Sequence, residues 1–256
     1  MINSATFNIP QLHKMKQYPK ELFYIGNTNL LQKKMISIVG TRRPNAYTKK
    51  FTYEMAQKLS LKNICIVSGA AMGVDALAHN GAGASNTIAV VANGLDIRYP
   101  AVNKTLIAQI EKEGLMLSQF PQTTQARLYS FVQRNEIVVA LGDILIVTQA
   151  DRNSGSLRSV EFALEMGKKI YTLPHRLGES LGTQDLLKNG FAEVIYDIDS
   201  FIESLGYSQE ITQDDDILEF CKSYPTYDEA VSKFGEKIFE YELLGKIKIG
   251  NGVISL

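Results

Sequence analysis

From Met35 onward the chain alternates short, nearly unbroken apolar runs with longer amphipathic stretches. MISIV (35–39), ICIVSG (64–69), TIAVVANG (87–94), LMLSQF (115–120), DILIVTQA (143–150), KIYTLP (169–174) and EVIYDI (193–198) read as strands. The spacing of apolar residues between them predicts helices over 47–59, 74–81, 103–113, 134–140, 157–166 and 183–188. Strand then helix, repeated with Val/Ile-rich runs, predicts an α/β fold: a doubly wound, mostly parallel sheet covered by helices on both faces.

The pattern changes at both ends. Residues 1–32 are polar with scattered Tyr, Phe and Leu and read as a short N-terminal lead-in, too small for a core of its own. Residues 33–206 form the main domain, and 207–216, containing QEITQDDD, read as an acidic linker. In 217–256, ILEFCKSY, PTYDEAVSKF and GEKIFEYELLGK predict three helices, and a hairpin follows with its turn at Asn251-Gly252. Helix, helix, helix, hairpin is the order of a small winged-helix-like domain. Its third helix sets Glu236, Glu240 and Glu242 against Lys237 and Lys246, a poor surface for phosphates, so protein contact or plain packing ranks above DNA reading there.

Ligands of doubly wound sheets sit beyond the C-terminal ends of the strands, so the loops after the strands carry the candidate chemistry. After the first predicted strand comes Gly40-Thr41-Arg42-Arg43-Pro44: a glycine, a hydroxyl suited to a helix N-cap, two cations, and a proline suited to a first helical turn. Unsatisfied N–H groups at such a helix start make an anion site, and a guanidinium can fork onto phosphate oxygens. Ser68-Gly69 opens the second small-residue loop and Ser154-Gly155-Ser156 the third. Three converging loops point to an anionic ligand, with an ordinary Rossmann turn and solvated arginines as the competing reading. A further stretch, Arg127 to Glu136, brings Arg127, Phe131, Arg134 and Asn135 together on a loop feeding a helix. Guanidiniums for phosphates, a ring for stacking and an amide for a base edge suit a single-stranded nucleic acid, although Phe131 in a core is the competing reading.

Composition narrows this. Lys+Arg 27 against Asp+Glu 27 leaves no bulk charge for coating a polyanion, so binding must come from local clusters such as Lys33–Lys34, Arg42–Arg43, Lys49–Lys50 and Lys168–Lys169. His13, His79 and His175 show no metal-ligand spacing with each other or with Cys65 and Cys221, so no metal site is expected. GxxxxGK[ST] and GxSxG are absent, and GAGASN lacks the third glycine of a dinucleotide fingerprint, so no cofactor is expected. No run is long and apolar enough for a membrane helix, no secretory leader pattern is visible, and two cysteines suggest no disulfide framework; the expected location is the cytoplasm.

The motifs taken together resemble the DNA-processing protein A (DprA, or Smf) family of bacterial transformation proteins, from about Ser37 to Leu205. VGTRRP, SGAAMGVDALAH, GLDIRYP, SQFP, FVQRNEIVVAL, SGSLRSVEFALEMGK and GTQDLLKNGFAEVI follow in that family's order. The resemblance implies an extended Rossmann-like domain that binds single-stranded DNA, forms a homodimer and helps load the RecA recombinase during transformation and recombination, without enzymatic activity. By position it assigns DNA contacts to Gly40, Thr41, Arg42, Arg43, Arg134 and Asn135, a stacking ring to Phe131, and the late glycine loop to Ser154–Ser156. Three departures stand out. Met72 and Glu136 replace expected arginines, so either the groove is weakened or it turns to Lys168, Lys169 or Arg127 instead, and no sterile-alpha-motif-like domain fits into the first 32 residues. The competing class is a nucleoside-monophosphate phosphoribohydrolase on a related scaffold. Against it, NSGSLRSVE lacks the paired glycines of PGGxGTxxE, and Glu161 lies five residues beyond Ser156, which turns it off the expected helix face.

Overall fold

The computed structural model describes residues 1–206, 213–243, 245–250 and 252–255. The chain divides into two compact units, Met1–Gly206 and Tyr207–Leu256. In the first, strands β1 (Asn3–Ser4), β2 (Phe23–Gly26), β3 (Met35–Val39), β4 (Cys65–Ser68), β5 (Thr87–Val90), β6 (Leu115–Ser118), β7 (Ile144–Val147), β8 (Ile170–Thr172) and β9 (Glu193–Val194) form one sheet in the order β1-β2-β6-β5-β4-β3-β7-β8-β9. From β6 through β9 every pairing is parallel. The chain walks outward from β3 on one side and then restarts at β7 on the other, so the order reverses between β3 and β7. That reversal opens a crevice above the strand ends.

Helices α1 (Ala46–Leu61), α2 (Val74–Ala82), α3 (Lys104–Glu113), α4 (Leu128–Leu141), α5 (Ser156–Glu165) and α6 (Leu181–Lys188) connect the strands, and α7 (Ile198–Ser204) follows β9. The five residues of β3 are all buried, as are those of β7, so neither shows the polar alternation of a half-exposed strand. Ser37 and Ser68 are tolerated inside the sheet because their hydroxyls donate to the carbonyls of Val138 and Ile38, each at 2.6 Å.

Residues 1–32 are not a separate lead-in. β2 pairs antiparallel with β6, Phe23 opposite Ser118, and β1 pairs with β2, extending the parallel sheet by two strands. Ile9, Leu12, Leu22, Leu30 and Leu31 are buried in the same core as Met35, Val67 and Leu117. Their irregular spacing hid this, because Leu12, Leu30 and Leu31 sit on two 3₁₀ turns, Ile9 just before the first of them and Leu22 just before β2, rather than on one periodic element. α4 also begins earlier than the apolar pattern suggested, at Leu128 instead of Arg134. Its first turn is closed by Ser130, whose hydroxyl accepts from the Arg127 amide at 2.8 Å.

The second unit contains α8 (Gln213–Cys221), α9 (Tyr227–Phe234), α10 (Lys237–Leu243) and an antiparallel pair, β10 (Lys248–Gly250) and β11 (Val253–Ser255). Ile217, Cys221, Ala230, Ile238, Tyr241, Ile247 and Ile254 make its core. α8 starts four residues before the predicted Ile217, so part of the expected acidic linker is helical; 207–212 and Asn251 of the expected turn lie outside the described residues. Thr226 and Glu229 cap α9 reciprocally, the Thr226 hydroxyl accepting from the Glu229 amide at 3.3 Å and Glu229 accepting from the Thr226 amide at 2.9 Å.

Candidate nucleic-acid interface

The loops after β3, β4 and β7 meet at the reversal and enclose a solvent-open crevice of ≈ 940 Å³. Gly40, Thr41 and Arg42 line it from the first loop, Gly69 and Ala71 from the second, Ser154, Gly155 and Ser156 from the third, and Phe131, Arg134 and Asn135 from α4. Of the residues singled out in the sequence, Arg43, Ser68 and Arg127 are elsewhere. Ser68 is spent inside the sheet, Arg127 is an exposed residue at the N-terminus of α4, and Arg43 borders a neighbouring groove.

The three helix starts are not equivalent. Thr41 is not an N-cap: α1 begins at Ala46, capped by Asn45, whose side chain accepts from the Thr48 amide at 2.8 Å, while the Thr41 hydroxyl accepts from the Arg43 amide at 3.2 Å. The first residues of α1 line a different cavity, with His175 and Arg176. The start of α2 already holds an anion, because Asp75 in its first turn accepts from the Ala71 amide at 3.3 Å. α5 opens on the crevice with no acid in its first turn; its Ser156, Leu157 and Arg158 amides are taken by the Ser154 hydroxyl at 3.2 Å, the Ser154 carbonyl at 3.1 Å and the Gly155 carbonyl at 3.2 Å, so what it offers a ligand is the field of its dipole rather than free N–H groups.

Arg134 is likewise not a free clamp. Its side chain is 5% exposed, its Nη1 lies 3.5 Å from Asp75 Oδ2, and it donates to the Val90 carbonyl at 3.3 Å. A Cβ on Gly69 would stand 1.1 Å from that Nη1, so the glycine exists to admit the guanidinium. Burial lowers the Arg134 guanidinium and raises the Asp75 carboxyl from their ordinary values, while each partner's charge opposes the shift of the other. The pair stays ionised, since a guanidinium does not give up its proton in a protein, and the floor it forms is close to neutral. His79 lies fully buried nearby, accepting from the Ala70 amide at 3.3 Å and engaging the Thr87 hydroxyl at 2.6 Å. Burial, with Arg134's charge second, pushes it down to about 3.

The exposed cation at the rim is Arg42, whose guanidinium lies 5.0 Å from the centroid of the half-buried Phe131 ring. The Tyr99 ring is 6.3 Å from Phe131, and the two rings border a second, shallow and more apolar concavity, which also involves Met72, Val91, Ala92 and Asn93. Arg42, Gly69, Ala71 and Phe131 belong to both cavities. The replacements expected to weaken the groove act differently from expectation. Met72 is 44% exposed and adds thioether surface to the apolar pocket, and Glu136 accepts from the Lys16 amide at 3.2 Å outside the crevice. Lys168 cannot substitute for lost charge. It precedes β8, at the opposite end of the strands, and its buried ammonium donates to the last carbonyls of α4, Val139 at 2.6 Å and Ala140 at 2.7 Å. Asp75, Tyr99 and Asn93 were not singled out as site residues. Tyr99 could have been, since it stands in the GLDIRYP block.

Fold and site define a Rossmann-type domain with an anion-and-aromatic crevice at the switch point of its sheet. The model of the family described as DNA recombination-mediator protein A matches residues 3–206, and the chain belongs to that family. The match starts well before Ser37 and takes in β1 and β2, in accord with their place in the sheet. Among curated relatives, Protein Smf of Synechocystis is 35% identical over 73% of this chain and 49% of its own, and DNA processing protein DprA of Bacillus subtilis is 34% identical over 73% and 64%. The chain thus spans about half to two thirds of the length of these relatives. A solved structure of DNA processing protein A from Helicobacter pylori, described for its single-stranded DNA binding mode, superposes with a TM-score of 0.78 at 38% identity over 80% of this chain and 95% of that one. The corresponding protein of Streptococcus pneumoniae gives 0.71 at 33% identity over 77% and 72%. Among the described residues no helix is long and apolar enough to cross a membrane.

Proposed function

We propose that the crevice binds single-stranded DNA, with a phosphate between the α5 N-terminus and Arg42 and an adjoining base against Phe131. The observation that carries this reading is the shared wall. Arg42 and Phe131 border both the polar crevice and the apolar pocket, so a phosphate in one and a base in the other are separated by a single nucleotide's reach. Tyr99 and Met72 supply further soft surface for the base, and ring stacking tolerates any base identity. The wider role follows the family: a cytoplasmic homodimer that holds incoming single strands during natural transformation and hands them to RecA for recombination.

The phosphoribohydrolase alternative needs a carboxylate in the crevice. Glu161 is instead exposed and paired with Arg158 at 2.6 Å, and Asp75, the acid that does line the crevice, is bound to Arg134. The test is fluorescence anisotropy with labelled oligo-dT and the matching duplex across a salt series. Arg42→Ala lowers the salt slope by about 0.7 log unit per log unit, one phosphate's worth. Phe131→Ala costs about 1–3 kcal/mol of affinity at unchanged slope. Equal affinity for duplex and single strand, or an Arg42→Ala slope identical to wild type, refutes the reading.

A further inference from the structure

Arg42 stands on a ridge. On its far side from the crevice is a second concavity of ≈ 790 Å³, lined by Arg42, Arg43, Pro44, Lys49, Gly73, Ala76, Leu77 and Asn80. We infer that this groove between the starts of α1 and α2 is a second phosphate subsite, which takes the next stretch of the same single strand after it crosses Arg42. The inference rests on the binding mode proposed above and adds a direction for the strand to leave the crevice.

Three observations carry it. The groove presents three cations and no carboxylate, whereas the crevice holds its own acid, Asp75. Among the described residues no ion pair engages the side chains of Arg43 or Lys49, although eight such pairs engage other cations of the chain. Arg43 and Lys49 are therefore left with full charge facing solvent in a chain with no net charge. Finally, the ridge is built to be narrow. Gly73 has φ +79°, a Cβ there would stand 2.4 Å from the Thr41 carbonyl, and the Val74 amide donates to that same carbonyl at 3.1 Å. The second loop is thereby locked against the first directly beneath Arg42, so one side chain serves both concavities. Ala76 and Leu77 give the groove a small apolar wall suited to a sugar or base edge, and Asn80 is exposed at its end.

The test uses the full chain, labelled oligo-dT of about 4 to about 16 nucleotides, the range of site sizes of single-strand binders, and the variants Lys49→Ala, Lys49→Glu and Arg43→Ala. All three change exposed side chains. For the shortest oligomers the Lys49 variants bind as wild type does. For the longer ones Lys49→Ala lowers the salt slope by about 0.7, so that its affinity falls between 50 and 200 mM salt by about 2.6-fold less than wild type's; Lys49→Glu lowers the slope further, and Arg43→Ala behaves like Lys49→Ala. Wild-type affinity and slope in all three variants at every length overturn the groove while leaving the crevice intact. Loss at every length alike also overturns it, since the residues would then belong to the first subsite. Absence of single-strand binding by the wild type, or wild-type affinity and slope in Arg42→Ala, overturns both readings, since Arg42 borders both concavities.

Discussion

Arg134 offers the sharpest separation between a residue that touches ligand and one that builds the site. Arg134→Met keeps much of the volume and removes the charge, leaving Asp75 without its cation. With both side chains 5% and 10% exposed and 3.5 Å between Nη1 and Oδ2, the attraction at an effective dielectric of about 20 is roughly 5 kcal/mol. Breaking a buried pair from one side costs about 3–5 kcal/mol in practice. At roughly 2–4 °C per kcal/mol for a unit of this size, melting falls by about 6–20 °C. The chain has no tryptophan, so calorimetry or circular dichroism reads the transition. The deficit also depends on pH in a definite sense. Burial already raises the Asp75 carboxyl, and losing Arg134 raises it further; a group whose folded value lies above its unfolded one stabilises in acid and loses that stability as pH rises through the folded value. The variant's deficit is therefore smaller near pH 5 than at pH 7, and adding Asp75→Asn restores most of the stability at pH 7. A variant as stable as wild type, with a salt slope for oligo-dT lowered by about 0.7, would return Arg134 to the role of a phosphate clamp.

Two further perturbations test other parts of the structure. Leu12→Ala, at a fully buried side chain, costs about 2–5 kcal/mol if the N-terminal segment shares the main core; a loss under about 0.5 kcal/mol in urea or thermal melts would make that segment a peripheral appendage. His79, neutral in the fold because its folded value of about 3 lies below the ordinary 6.5, contributes stability that is complete above pH 6.5 and fades as pH drops, by about 2 kcal/mol at pH 5. His79→Gln flattens the acid limb of the stability profile, and an acid limb equally steep in the variant assigns it to other groups.

Much of the site was legible because its parts are local. Gly40-Thr41-Arg42, Ser68-Gly69 and Ser154-Gly155-Ser156 each follow an apolar strand, and in a doubly wound sheet loops after strands share one edge. What misled was the assumption that polar residues at the strand ends and on α4 face the ligand. Ser68 and Arg134 face inward, each answering a partner far away in the chain, Ile38 and Asp75, and no local pattern names such a partner. Lys168 is the same case, a surface-looking cation that satisfies the carbonyls ending α4.

Strand and helix alternation, the loop positions and the family motifs were written in the sequence, because periodicity and turn chemistry act over a few residues. The tertiary structure alone decided three things: that residues 1–32 add two strands to the sheet, that α5 rather than α1 or α2 turns an acid-free helix start toward the crevice, and that Arg42 rather than Arg134 presents free charge. The reason is common to all three. Strand pairing, burial and the quenching of one charge by another depend on which residues distant in sequence become neighbours, and that is set only when the sheet closes on its core.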